Sequence, residues 1–485
     1  MKCNRFLLPY PLWAVMALGA ISFLPGKAPA GDASARPDYR AVVVSYADGM
    51  LEHGRDTYGS QHSPLFAEAL DRETMRMLEG ERLEAVARIP QDAWGIRPHD
   101  RMLGGANPQH CQNLYQILYA LTAVTGRECY AREADRSLAF FFDNCQSPAT
   151  GLLYWGEHAG WDLIGEGPLK TRSGNTHEFY RPWVLWERSW ALAPEACRRF
   201  ALGLWEHQIG DHRTGDFSRH AAIAAHGPGT EAPYARHGGF YIETWAAAYG
   251  QTEDGVFLRA IETVLGGLER ARLHEGGYLT SRTKATGNRR PYDLSLAVSL
   301  ENAAAAVPEP LAARMREVAA ANDEAFARAR AASGGRPAAA GRGLWSNAYG
   351  GGARVGYGNV VLLRYRQTRL DAYRKTILEE AEKYREEEIA LDHAVWPGTA
   401  GDAILLMLGA YELTGQSRYL DAADRFARSA VALFLDGGCP LPKASHLHDH
   451  YEAVTNGDTL MMALLKLWLA QNPSDLKIEL VYTDR

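Results

Sequence analysis

The amino-acid sequence predicts an all-α protein, an α/α toroid built as an incomplete or closed barrel of six to seven helical hairpins, and three observations carry that prediction. From about Tyr39 onward Ala, Leu, Arg and Glu recur at helical spacing, with few of the Val/Ile/Thr alternations that mark strands. One phrase recurs: Thr125-Gly-Arg-Glu-Cys-Tyr130, Thr252-Glu-Asp-Gly-Val-Phe257, Thr368-Arg-Leu-Asp-Ala-Tyr373 and Thr414-Gly-Gln-Ser-Arg-Tyr419. An apolar helix precedes each copy and an amphipathic helix follows it, which is a repeated helix–turn–helix unit. Such a hairpin cannot bury its own apolar face, so stacking several into a ring is the economical solution, and six or seven would use up the chain.

The elements follow in chain order. Lys2 and Arg5 precede an apolar run from Phe6 to Leu24, and Ala28-Pro29-Ala30 offers a small-residue cleavage site. Residues 1–30 therefore read as an export signal and 31–485 as a single α/α toroid catalytic domain, periplasmic or secreted. Pro9, Pro11 and Pro25 shorten the apolar helix and argue against an uncleaved anchor, and no later stretch is apolar enough to span a bilayer, so no membrane contact is expected after cleavage.

Beyond the signal, Cys111, Cys129, Cys145, Cys197 and Cys439 form no zinc-like spacing, and their odd number leaves at least one free or paired between chains. The formal charge is −6, and removing Lys2, Arg5 and Lys27 takes the remainder to −9. That balance excludes bulk attraction to nucleic acid, so positive charge for an anionic ligand has to be concentrated locally.

The segments that interrupt the helical pattern are Tyr154 to Trp190, Glu206 to Glu243, His274 to Asp293, Gly334 to Asn359 and Gly437 to Asp458. Each is rich in Gly, aromatic residues, His or Arg, and loops at one rim of a toroid are where a site is built. The run Ala327 to Gly343 reads as a connector, and the stretch after it, with Asn347, Tyr349, Arg354 and Tyr357, as a lid.

Gly276 to Asp293 gathers Arg282, Lys284, Arg289 and Arg290 with no acid before Tyr292. Nearby cations favour a phenolate, and Pro291 is expected to start the following helix. His237 lies near the start of another apolar helix beside Arg236, where a helix N-terminus favours a neutral imidazole. Asn175, His177 and Arg181 precede a third, aromatic-rich helix.

A neutral base, a tyrosine, arginines and an amide suit proton abstraction beside a carboxylate: once the charge of a uronate is neutralised, the C5 proton can leave and O4 can depart. Trp155, Trp161, Tyr180 and Tyr234 offer faces for sugar rings. The predicted partner is thus an anionic polysaccharide, with no cofactor, and oligomeric state is not encoded in these motifs. His446, His448 and His450 alternate near Asp449 and Asp458, and the preferred reading has them lining the groove without a metal.

The hairpins together with "NTHEFYRPW", "RHGGFY" and "NRRPYDLSL" resemble toroid-fold polysaccharide lyases, nearest to polysaccharide lyase family 38, which is similar in its histidine–tyrosine pair to the alginate lyases of family 5. The resemblance implies cleavage of glucuronan or mannuronate-rich alginate by β-elimination. It implies His237 as the catalytic histidine, Tyr292 as the catalytic tyrosine, Asn175 or His177 as carboxylate neutraliser and Arg289 or Arg290 as the assisting arginine. Where family 5 has an asparagine before the histidine, this chain has Arg236. Alternative readings are a uronate C5-epimerase, a uronide-acting glycoside hydrolase, for which Asp211, Asp216, Asp293 and Asp402 form no persuasive acid pair, and a non-catalytic glycan-binding toroid.

Overall fold

The computed structural model describes residues 36–169, 175–225, 229–230, 234–271, 292–332, 345 and 354–485, the side chains of 354–356 excepted. The predicted signal, Arg282, Lys284, Arg289, Arg290, Asn347, Tyr349 and the Arg354 side chain lie outside the described residues. In chain order the helices are α1 (Tyr39–Glu52), α2 (Gly80–Ala87), α3 (Gln91–Trp94), α4 (Gln112–Thr125), α5 (Cys129–Asn144), α6 (Trp186–Leu192), α7 (Pro194–Gly203) and α8 (Ala235–Thr252). They continue with α9 (Gly255–Arg270), α10 (Leu294–Ala304), α11 (Glu309–Ala332), α12 (Arg354–Thr368), α13 (Asp371–Tyr384), α14 (Pro397–Thr414), α15 (Ser417–Phe434) and α16 (Gly457–Gln471). Among the described residues no helix is long and apolar enough to cross a membrane.

The even-numbered helices from α4 to α16 form the inner wall, and α5 to α15 with α1 the outer one. From α6 to α16 each inner helix packs on the next, α16 returns to α4 and α1 backs α16, which closes the α/α ring except between α4 and α6. Between α4 and α6 the joint is an extended segment: Gln112 donates to the Pro182 carbonyl at 2.9 Å and accepts from the Val184 amide at 2.7 Å.

The repeated phrase has a single physical meaning. Thr125, Thr252, Thr368 and Thr414 end inner helices, and each hydroxyl donates to the carbonyl four residues back, at 2.6–3.0 Å. Each then accepts the amide two residues on, at 3.2–3.3 Å. The residue between turns left-handed (Gly126 φ 69°, Glu253 φ 54°, Arg369 φ 60°, Gly415 φ 66°), which stops the helix and reverses the chain. Tyr130, Phe257, Tyr373 and Tyr419, five residues after each threonine, are buried between the walls, each contributing about 2–3 kcal/mol through burial.

Segment 480–485 fills the axis of the ring. The Arg485 guanidinium forks onto both Glu243 oxygens at 2.8 and 2.9 Å, Gln116 brackets Val481, and Asp484 lies 3.1 Å from Arg181. Helix α10 begins at Leu294, one turn later than Pro291 would start it, because the Asp293 carboxylate caps the Leu296 amide at 3.0 Å. Cys111, Cys145, Cys197 and Cys439 are free thiols.

Candidate active site

The loops entering the inner helices carry short ladders, and these build the site. Thr176 and His177 pair antiparallel with Ala222 and Ala221, which sets Glu178 opposite His220 at the next register. On its other side the Glu178 strand runs beside 156–158: the Glu157 amide donates to the Glu178 carbonyl at 2.9 Å, and His158 bridges to Thr176. The approach requires glycine at 156, where φ is 98° and a Cβ would stand 1.8 Å from the Glu178 carbonyl oxygen.

Glu178 is thereby fully buried within a ring of cationic and imidazole nitrogens. His220 Nε2 lies 2.7 Å from Oε2 and His158 Nε2 3.2 Å from it, while Arg219 and His237 stand 3.1 and 3.3 Å from Oε1. Burial alone would raise the carboxyl's pKa, but the three histidines outweigh it and hold it well below the usual range. Burial works against the charge on His158 as well, yet Asp100 and Glu178 push its pKa up to about 9. His237 goes the other way: burial brings it down to about 4 against the pull of Glu178, so it is neutral.

Beside this cluster opens a polar cleft of about 310 Å³ lined by Gln91, Gly95, Arg97, Glu157, Tyr180, Arg219 and Arg236. Arg97 donates to Asp100 at 2.5 Å and also pairs with Glu157; Arg219 stacks 4.3 Å over the Tyr234 ring. Burial and the neighbouring Glu178 push the Glu157 carboxyl up to about 7. Burial also raises the Tyr180 phenol, which stays protonated. A larger cavity of about 500 Å³ lies among Trp186, Ala247, Ala306 and Leu480, but its lining arginines are already paired, Arg366 with Glu412 and Arg485 with Glu243.

His158, Glu178 and His220 bring their ligand atoms within 4.8 Å of one another. Both Glu178 oxygens are closed to water and make no well-directed hydrogen bond. Two imidazoles and a buried carboxylate of this kind fit a divalent transition cation. Sequence reasoning expected no metal and missed all three residues.

Of the predicted site residues, Tyr180 and Arg236 line the cleft and Tyr234 supports Arg219. His237, expected to reach substrate, is instead 0 % exposed, its Nε2 turned to Glu178 and the Phe179 carbonyl. His177 spends both nitrogens internally, on Gln208 at 2.9 Å and Trp155 at 3.2 Å. Asn175 accepts the Ile223 amide through its backbone carbonyl. Arg181 is buried against Asp484 and Asn456, too enclosed to meet a polymer. Tyr292 and Tyr357 meet each other, hydroxyl to hydroxyl at 2.9 Å, and Trp161 packs half-buried on Tyr154. His446 accepts the Val395 amide, His448 faces Ser445, and buried His450 faces Glu452 at 2.9 Å, so the three do not converge.

Residues 93–237 match a family described as periplasmic pectate lyase. The motifs had pointed to family 38 instead. The matched stretch is under a third of the chain and contains Arg97, Asp100, Glu157, His158, Glu178, Tyr180, Arg219, His220, Arg236 and His237. A pectate disaccharide-lyase of Dickeya dadantii (strain 3937) is 28% identical over 116 residues, covering 23% of this chain and 21% of that protein, so the chain matches only about a fifth of the relative's length. Among solved structures, a cellobiose 2-epimerase from Spirochaeta thermophila DSM 6192 is 13% identical with a TM-score of 0.42, covering 90% of this chain and 98% of that one. A D-mannose isomerase is 11% identical with a TM-score of 0.45, covering 89% and 97%. An unsaturated glucuronyl hydrolase specific for heparin is 8% identical with a TM-score of 0.42, covering 90% and 99%.

Proposed function

We propose that this chain is an exported polysaccharide lyase that cleaves a 1,4-linked uronic-acid polymer by β-elimination, with polygalacturonate as the first substrate and glucuronan or alginate as the alternatives. The observation that carries the reading is the cleft in which Arg97, Arg219 and Arg236 adjoin the Glu178 cluster, in a chain whose overall charge is negative. All of these residues fall within the stretch similar to pectate lyases.

A uronate carboxylate entering the cleft meets guanidinium groups, which neutralise it and weaken the C5–H bond toward heterolysis. His158, Glu178 and His220 would hold a divalent cation, which when bound supplies Lewis-acid polarisation of that carboxylate. In this reading the Glu157 carboxylate takes the C5 proton as the C4–O4 bond breaks, and the Tyr180 hydroxyl gives a proton to the departing O4. His237 keeps Glu178 oriented and ionised rather than touching sugar.

The test is ultraviolet absorbance of the C4–C5 unsaturated product on polygalacturonate, glucuronan and both alginate types, before and after chelation. A rise on polygalacturonate that chelation removes and Mn2+ restores is expected. New reducing ends without absorbance would replace the reading with a hydrolase, and C5 proton exchange without cleavage with an epimerase.

A further inference from the structure

His158 stands between two carboxylates. Its Nε2 is 3.2 Å from Glu178, and its Nδ1 is 3.0 Å from Oδ1 of Asp100 on the opposite side. Asp100 is 0 % exposed and fixed from its own side, since its other oxygen accepts from Arg97 and its backbone amide closes a turn onto the Arg97 carbonyl. A neutral imidazole carries one proton. If Nε2 is to offer a lone pair to a cation, the proton has to sit on Nδ1, and the group facing Nδ1 decides whether it does.

We propose that Asp100 is a positioning residue of the site: it holds the His158 proton on Nδ1 and the ring plane fixed, so that Nε2 is presented as a cation ligand together with Glu178 and His220. This rests on the cation reading above and extends it to a residue that does not itself touch the ligand position. His99 is the competing possibility, because its Nε2 lies 3.4 Å from Asp100 and His99, Asp100 and His158 also cluster closely enough to hold an ion. The two arrangements use opposite nitrogens of His158 and cannot both be filled by one neutral ring. Arg97 favours the Glu178 side, since its guanidinium, bound to the other oxygen of Asp100, already offsets that carboxylate's charge and weakens its pull on an ion in the His99 trio. A carboxylate behind a ligating histidine fixes its tautomer and raises its basicity, and losing one typically costs about 10- to 100-fold in metal affinity.

The experiment is Mn2+ titration of the chelator-stripped full-length protein by calorimetry, with free Mn2+ followed by electron paramagnetic resonance. His220→Ala is expected to abolish binding, Asp100→Asn to weaken it about 10- to 100-fold, and His99→Ala to leave it unchanged. Asp100→Glu, which restores the charge, is expected to bind more tightly than Asp100→Asn, a rescue that a role in folding alone would not produce. Should Asp100→Asn not fold, Asp100→Ser, which also lacks the carboxylate, carries the test in its place, and parent-level affinity in that variant overturns the proposal. Full binding by Asp100→Asn beside loss in His220→Ala overturns the Asp100 role alone. Loss in His99→Ala with none in His220→Ala moves the ion to the other trio and overturns both, as does a parent protein that binds no Mn2+.

Discussion

Nε2 of His237 lies 3.3 Å from Oε1 of Glu178, and neither side chain reaches solvent. The contact turns a histidine at the head of α8 into a partner of a buried carboxylate. The second glycine after it has a packing reason: a Cβ on Gly239 would stand 2.9 Å from Cβ of Ser299, so α8 and α10 approach closely only with glycine there.

His237→Ala removes one of the groups that hold Glu178 ionised in a dry site. Unfolding in urea should show a loss of about 1–3 kcal/mol, and elimination on polygalacturonate should fall in kcat more than in KM. An unchanged denaturation midpoint with full activity would falsify this role.

Arg236→Gln keeps a hydrogen-bonding side chain but deletes charge from the cleft. KM on polygalacturonate should rise about tenfold or more, the cost of losing one charge-assisted contact, and the effect should shrink in high salt as screening takes over. Equal KM values at low salt would remove Arg236 from the binding site.

Arg101 grips both oxygens of Glu452 at 2.8 and 2.5 Å. Burial alone would raise the Glu452 carboxyl, but Arg101, with His450 adding to it, brings its pKa from the ordinary 4.5 down to about 2. A depressed carboxylate stabilises the fold above its unfolded pKa, and that contribution is lost as pH falls through the folded value. Stability should therefore decline between about pH 4.5 and 2 by about 3 kcal/mol from this group, and Glu452→Gln should flatten that part of the pH–stability curve.

Far from the cleft, Arg364 forks onto Asp323 at 2.8 Å through both Nε and NH2, and the Tyr373 hydroxyl adds a 2.6 Å bond to the same carboxylate. Asp323→Ala leaves a buried guanidinium with Glu301 as its one carboxylate partner among the described residues. Calorimetric unfolding should show a destabilisation of about 3–5 kcal/mol with elimination kinetics unchanged below the transition.

The ring was legible in the sequence because its signal is local and repeated: threonine, a left-handed residue and an aromatic five positions on specify one helix end and one buried ring each time. The cleft was half legible. Tyr180 and Arg236 sit in aromatic and basic stretches that announce themselves, whereas Arg97, Asp100, His158, Glu178, Arg219 and His220 come from separate loops. No spacing rule links 158 to 178 to 220; the two ladders flanking Thr176 and His177 do, and strands of two residues leave no alternation to read. Histidines that do form a pattern, at 446, 448 and 450, proved to serve three separate local contacts.

Helix α1 joins the ring through partners very distant in sequence: it packs on α16, and the Tyr39 hydroxyl bonds Asp424 across 385 residues. From α8 to α16 the described hairpins pack on their neighbours, so the closing joint of α1 and α4 on α16 has to wait for a long chain to fold back on itself. Closing so large a loop is slow more than it is costly, because its entropy grows only with the logarithm of length while the search does not. Until that encounter the apolar flanks of α1 and α16 stay open to solvent, and the interval before closure is when the chain is most exposed to aggregation and proteolysis.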